Sequence, residues 1–186
     1  MDRPDLDLIR AAFASDPVLD IAISHALLLD VAARRRPATV RIYRPGPTVA
    51  FGRLDRLLPG IGAAWAVAAE LGYTPLVRLA GGQAAVYDRR SLVVEHVTPE
   101  ADATAGLTAR FEDQATRLQA ALSGLGLDVR VGELPGEYCP GGYSLNVGGR
   151  TKVAGIAQRM VRGAALTTAV LVVEGGADLR AAVGAI

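Results

Sequence analysis

A chain of 186 residues, 51% hydrophobic and 21% charged, has the size and composition of one folded domain and is too apolar to be disordered. A formal net charge of +1 argues against a general nucleic-acid binder, and a single cysteine excludes an internal disulfide and leaves no CxxC pair for zinc. The most apolar runs, IAISHALLLDVAA and LTTAVLVV, are too short to span a bilayer, and the acidic, polar start MDRPDLDLIR lacks the signal-peptide pattern, so a cytoplasmic protein with no membrane partner is expected.

The first predicted element is a helix over SDPVLDIAISHALLLDVAARRR, with Asp16 as cap, Pro17 at the first helical position, and Ile21, Leu28 and Val31 at helical spacing. ATVRIYRP alternates and is rich in β-formers, which predicts a strand over Thr39–Arg44; RPGP breaks it and TVAFGR resumes as a short strand ending at Gly52. GAAWAVAAELGY is a second helix that Gly72 is placed to end. TPLVRLAGG is a strand running into a double glycine, and AAVYD and SLVVEHV are two strands around an Asp-Arg-Arg turn. After the loop TPEADATAG comes a third helix, LTARFEDQATRLQAALSGLG, then the strand LDVRVG and the Pro/Gly-dense loop ELPGEYCPGG. YSLNV, TKVAGIAQRMV and AALTTAVLVVE form a three-strand meander with turns at Gly148-Gly149 and Arg162-Gly163. Strands clustered between segregated helices predict an α+β fold, a mainly antiparallel mixed sheet packed with helices, in one domain over 1–186. The chain stops abruptly after a further helix start, GADLRAAVGAI, an end compatible with C-terminal structure lying beyond it.

Two residues stand out chemically. Of 20 Lys and Arg residues, one alone is lysine, Lys152, and it follows the one cysteine, Cys139, by thirteen positions. Cys139 lies between Tyr138 and Pro140 and before Gly141-Gly142, a setting suited to an exposed nucleophile, and the proline is expected to hold it in an extended conformation. A thiolate is the reactive form, and a compact ammonium beside it either favours that form or donates to a developing oxyanion. A loop thiol beside a solvated lysine is the competing reading. In RLAGGQAAVYD, Gly81 and Gly82 leave room for a thin ligand against the backbone, and Arg78 offers a fork for a carboxylate or phosphate; a plain hairpin corner is equally compatible with the glycine pair. His25, mid-helix in a mostly apolar stretch, reads as structural, and His96 at a strand end is uncommitted, so a Cys–His hydrolase is disfavoured.

The order VRIYRPGPTVAFGR, RLAGGQAAVYD, CPGGYSLNVGGRTKVAGIAQR resembles the biotin/lipoate protein ligase and acyltransferase superfamily from about residue 17 to the end. Within it, YCPGGYSLNVGGRTKVAGIAQR is most similar to the cysteine-dependent octanoyl/lipoyl transferases of lipoate assembly. The resemblance implies transfer of an octanoyl or lipoyl group to a lysine of a lipoyl domain or of the glycine-cleavage H protein, with acyl carrier protein or an acylated protein as donor and no cofactor or metal. By position it implies that Cys139 is the nucleophile, that Lys152 contacts the acyl carbonyl, that Arg78, Gly81 and Gly82 belong to the acyl pocket, and that Gly155 is the small residue beside the substrate. Gln83 stands where ATP-dependent lipoate ligases carry a third glycine, SLNVGGRTK replaces their Asp-x-x pattern, and the GRGRxG loop of biotin ligases is absent. These departures place an adenylate-forming lipoate ligase second and an inactive lipoyl-domain binding protein third.

Overall fold

A computed structural model describes residues 5–102 and 104–186. Among the described residues fifteen elements follow one another, and the ones that matter here are four helices and ten strands. Strands β1 (Leu6–Ile9), β2 (Ala38–Tyr43), β6 (Ser91–Pro99), β7 (Val129–Val131), β8 (Leu145–Val147), β9 (Thr151–Val161) and β10 (Ala164–Val172) form a seven-stranded sheet in the order β1-β2-β6-β10-β9-β8-β7. Within it only β1 and β2 run parallel. Strands β3 (Thr48–Phe51), β4 (Thr74–Val77) and β5 (Ala85–Tyr87) form a second sheet, ordered β4-β3-β5, with β3 and β4 parallel. The mixed, mainly antiparallel α+β class is as expected, and the meander β8-β9-β10 is present. The division into two sheets was not read from the sequence.

Helix α1 (Pro17–Ala32) starts as its sequence dictates: the Asp16 carboxylate accepts from the Leu19 N–H and Pro17 takes a position that needs no donor. It packs Leu27, Leu28 and Val31 against Val97, Ala164 and Leu166 on one face of the large sheet. Helix α3 (Leu107–Ser123) covers the other face, placing Ala115 and Leu118 on Leu145, Ala154, Ala169 and Leu171. The small sheet lies on the α1 side. Its Ala50, Leu76 and Tyr87 face Ile21 and Val170, and its opposite face packs Val49 and Phe51 on Ala68 of α2 (Ile61–Glu70). Helix α4 (Gly176–Ala185) brings Ile186 to the same cluster. Being covered on both faces, β3 is buried throughout, which accounts for its unbroken apolar run.

The unread strand is β1. Asp5-Leu6-Asp7-Leu8-Ile9 does alternate, but as an edge strand it leaves Leu6 and Leu8 more than half exposed. Strand β6 runs on to Pro99, so His96 lies inside it rather than at its end.

Candidate active site

The Pro/Gly loop between β7 and β8 has its shape from one carboxylate that sequence reasoning passed over. Glu137 is 3% exposed at its side chain and collects four donors: the Leu134 N–H (2.8 Å), the Gly141 N–H (3.2 Å), Ser144 Oγ (2.9 Å) and Lys152 Nζ (2.9 Å). Burial pushes this carboxyl up, but the hydrogen bonds from Leu134, Lys152 and Ser144 outweigh it and hold the group below the ordinary carboxylate range. Phe111 of α3 stacks on Tyr143 at 5.2 Å between ring centroids and anchors the loop's exit. The loop so tied carries Cys139 at φ +52°, left-handed rather than extended as Pro140 alone predicts. For a side chain other than glycine this costs about 1–2 kcal/mol, and the Glu137 bonds are what hold it.

Lys152 reaches the loop because β9 is irregular. Leu145 pairs with Ala154 but Asn146 with Lys152, so Val153 is an extra residue, a β-bulge. Regular alternation would put Lys152 on the face of Ala154 and Ile156, under α3. The bulge turns it to the opposite face instead, where its Cε lies 3.8 Å from the position a Cβ on Gly155 would take. There Nζ donates to Glu137 Oε1 (2.9 Å), Cys139 O (2.7 Å) and Tyr138 O (3.2 Å). All three ammonium donors are thus used, and the partner at the cysteine is its main-chain carbonyl rather than its sulfur. Arg159, which pairs with Leu166 on the α1 side, shares the face of Gly155 and, through the bulge, of Lys152.

The glycine pair completes the cluster. Gly81 N donates to Gln158 O of β9 at 3.2 Å, which stitches the loop to the large sheet. Gly82, at φ +98°, has no room for a side chain: a Cβ would overlap Arg78 Nη2 and lie 3.5 Å from Cys139 Sγ. Arg78 Nη2 also donates to Gln83 O, while its Nε is buried with no hydrogen-bond partner. Arg78 is therefore both a neighbour of the thiol loop and a wall of a narrow cavity between the two sheets. That cavity is lined further by Ile21, Leu79, Tyr87, Val93 and Val170. Gly155 pairs with Val170, so the strand carrying Lys152 offers no side chain over the space beside that wall.

Cys139, Lys152, Arg78, Gly82 and Gly155 are thus linked by short contacts, with Gly81 beside them on the same loop, and Arg78 is the one of the six that lines the cavity. Both histidines lie elsewhere. His25 is on the exposed side of α1, and His96 points to the α3 side, its pKa lowered by burial and by Arg117. Besides Glu137, the residues missed are Ser144, in an irregular loop, and Glu95, which takes a buried position in the alternation of β6 and meets Ser24, 71 residues away.

Comparison with known proteins gives the family and the fold. The Lipoyl protein ligase A/B catalytic domain family matches residues 16–185. An octanoyl-[GcvH]:protein N-octanoyltransferase of Geobacillus kaustophilus is 37% identical over 166 residues, 89% of this chain and 58% of that protein. A lipoyl-[GcvH]:protein N-lipoyltransferase of Listeria monocytogenes is 33% identical over 163 residues, 87% of this chain and 58% of that protein. The chain therefore spans less than three fifths of the length of either relative. In fold it is similar to lipoate-protein ligase A bound with ATP (TM-score 0.69, 24% identity, 94% of this chain and 70% of that one). It is also similar to a bi-partite lipoate protein ligase of Thermoplasma acidophilum (TM-score 0.68, 21% identity, 97% and 66%).

Proposed function

The chain belongs to the Lipoyl protein ligase A/B catalytic domain family, and we propose that it transfers an octanoyl or lipoyl group, through a thioester on Cys139, to a lysine of a lipoyl domain or of the glycine-cleavage H protein. The relatives named for octanoyl and lipoyl transfer support the reaction class. The observation that carries the reading is the closeness of Cys139 Sγ and Arg78 to Gly82, with Arg78 also a wall of the cavity between the two sheets and Lys152 tied to the Cys139 loop.

In the first step the Cys139 thiolate attacks the acyl carbonyl of an acylated carrier protein. The S–C bond forms, and the carrier's sulfur or nitrogen leaves with the electron pair and takes up a proton. In the second step the neutral acceptor amine attacks the thioester carbon, loses a proton, and Cys139 departs as thiolate. Two moderate barriers replace one high one. The acyl chain lies in the cavity and the carbonyl at its Arg78 end. There the unpartnered Arg78 Nε–H is the donor free to meet the developing oxyanion, a contact of the kind worth about 3 kcal/mol when preorganised. Lys152 supports the same geometry by holding the Cys139 carbonyl and hence the left-handed turn.

Incubation with an octanoylated carrier protein, followed by intact mass spectrometry, tests the covalent step. The wild type gains one octanoyl group, Cys139→Ala gains none, and Cys139→Ser transfers poorly. Wild-type transfer by Cys139→Ala, or acylation of the acceptor only with ATP and free acid, would falsify the thioester route.

A further inference from the structure

One wall of the acyl cavity is ionisable. Glu95 of β6 and Ser24 of α1 both line it, and against them lie Arg41 of β2 and Asp20 of α1. The side chains of Arg41, Asp20 and Glu95 are 1%, 3% and 4% exposed, so their charges have to balance among themselves. Two acids share one guanidinium.

The hydrogen bonds assign the charge to Asp20. A guanidinium has five N–H donors, and those of Arg41 go to Ala11 O twice, the Asp20 carboxylate, Asp20 O and Ser24 Oγ. None is left for Glu95, whose Oε2 is 3.7 Å from Arg41 Nη1. Asp20 also accepts from the Phe13 N–H. Glu95 meets Ser24 Oγ, at 2.7 and 2.8 Å from its two oxygens. As a neutral acid it donates its proton to Ser24 Oγ, and Ser24 donates onward to Asp20 O at 3.0 Å, which satisfies the whole chain. As a carboxylate it would draw the Ser24 proton away from Asp20 O and have no cation of its own. Burial pushes the Glu95 carboxyl up to about 7, with Ser24 and Arg41 opposing and Asp20 reinforcing the rise.

The other elements around Glu95 add no second group that titrates with it. Tyr43 of β2 and Tyr87 of β5 are held neutral by burial, and Thr168 of β10 carries no charge. Arg78 lines the cavity beside Gly82, and Lys152 and Arg159 stand on β9, two strands from β6. His96 is on the opposite face of β6, and His25 is on the exposed side of α1.

We propose that the acyl cavity is proton-linked through Glu95: an acyl chain enters against the neutral acid and keeps the proton on it, so that acyl affinity falls as pH rises through neutrality. This rests on the acyl-cavity reading above. Hydrocarbon laid on this wall excludes solvent from the carboxyl and raises the cost of a charge there. Where Glu95 is ionised beforehand, occupation therefore draws a proton from solvent onto its carboxylate, and by reciprocity the proton favours the chain. Below the carboxyl's midpoint the acid is already neutral and affinity is level. Above it, affinity declines with pH.

Calorimetry with octanamide, an acyl chain whose head does not titrate, tests the linkage in the Cys139→Ala protein, where no thiol can ionise. Affinity should be level below about pH 6 and fall about tenfold between about pH 6.5 and 8.5, as when occupation raises the carboxyl's midpoint by about one pH unit. At about pH 8 the binding heat should vary with the ionisation heat of the buffer, which reports proton uptake. Glu95→Gln in the same background still donates to Ser24 and cannot ionise, so its affinity stays level and no proton is taken up. A Glu95→Gln protein with the parent's pH slope overturns the assignment. So does a parent with level affinity and no proton uptake, an outcome that needs no Glu95 variant to fold. Failure to bind octanamide at any pH overturns the acyl cavity itself, and the linkage with it.

Discussion

The one lysine among arginines is explained at the level of atoms. Lys152 puts three donors on three oxygens around one point, the Glu137 carboxylate and two successive carbonyls. A planar fork presents its donors in fixed directions and cannot converge in this way. Replacing Lys152 by Arg should slow acyl-enzyme formation more than about tenfold, as when a preorganised contact of a few kcal/mol is misplaced. A wild-type single-turnover rate would reduce Lys152 to a surface residue. Glu137 is the other half of the arrangement. Glu137→Gln removes the charge that balances Lys152 and leaves one of four donors facing an amide N–H, so a loss of about 1–3 kcal/mol in a thermal melt is expected alongside slower loading. The pH dependence has a definite sign. Because the folded carboxyl is held below its ordinary value of 4.5, its contribution is present above that pH and is lost as pH falls further. Glu137→Gln should flatten this acid limb, and an unchanged limb would show that the carboxylate does not clamp the loop. Cys139 and Lys152 could be found by their rarity in the chain. Glu137 could not, since the chain has many acids and only the folded loop shows which one gathers Leu134, Gly141, Ser144 and Lys152.

Among the elements, local chemistry predicted most boundaries and tertiary placement decided the rest. The Asp16-Pro17 start of α1 and the Gly148-Gly149 turn, both glycines at positive φ, are written in residues that act on their own backbone. What lies between sheets has no such local mark. Nothing in TVAFGR distinguishes a second sheet from an extension of the first, because an apolar run states that a strand is buried but not by what. The bulge at Val153 is equally silent in TKVAGIAQR, where even spacing places Lys152 with Ala154. Deleting Val153 makes Lys152 the direct neighbour of Ala154, and regular alternation then keeps it on the face opposite Ala154, the α1 side. Acyl-enzyme formation by the deletion protein is then expected to stay within about tenfold of wild type, and by Val153→Ala, which keeps the extra residue, within a few fold. A folded deletion protein that loads about a hundredfold more slowly, the scale of an ångström-sized misplacement, would mean that the bulge sets the position of the lysine and not only its face.

Across the whole molecule, several arginines are held in ion pairs. Arg35 pairs with Asp30, Arg36 with Asp7, Arg90 with Asp88 and Asp178, Arg117 with Asp113 and Arg130 with Asp128. Arg150 is exposed in the turn before Lys152 and, like Arg162, has no ion pair among the described residues. Arg150 and Arg162 both lie in turns of the ribbon that carries Lys152. Arg162 sits beyond the far end of β9, ten residues on from Lys152, or about 33 Å along an extended strand. Beyond the Debye length of about 8 Å at physiological salt, such a charge is screened from a partner centred on Cys139. An acceptor domain with an acidic surface around its target lysine, as the family resemblance implies, would therefore be steered by Arg150 and not by Arg162. Steering acts mainly on encounter, so it raises the acceptor-dependent rate and makes that rate fall with ionic strength. Arg150→Ala should lower the rate at low salt several-fold and flatten its salt dependence, and Arg162→Ala should change neither. If both variants keep the parent's rate and slope, the acceptor docks away from the β8–β9 turn. If Arg162→Ala alone flattens the slope, docking lies at the opposite end of the sheet and the amine must approach Cys139 from the α1 side.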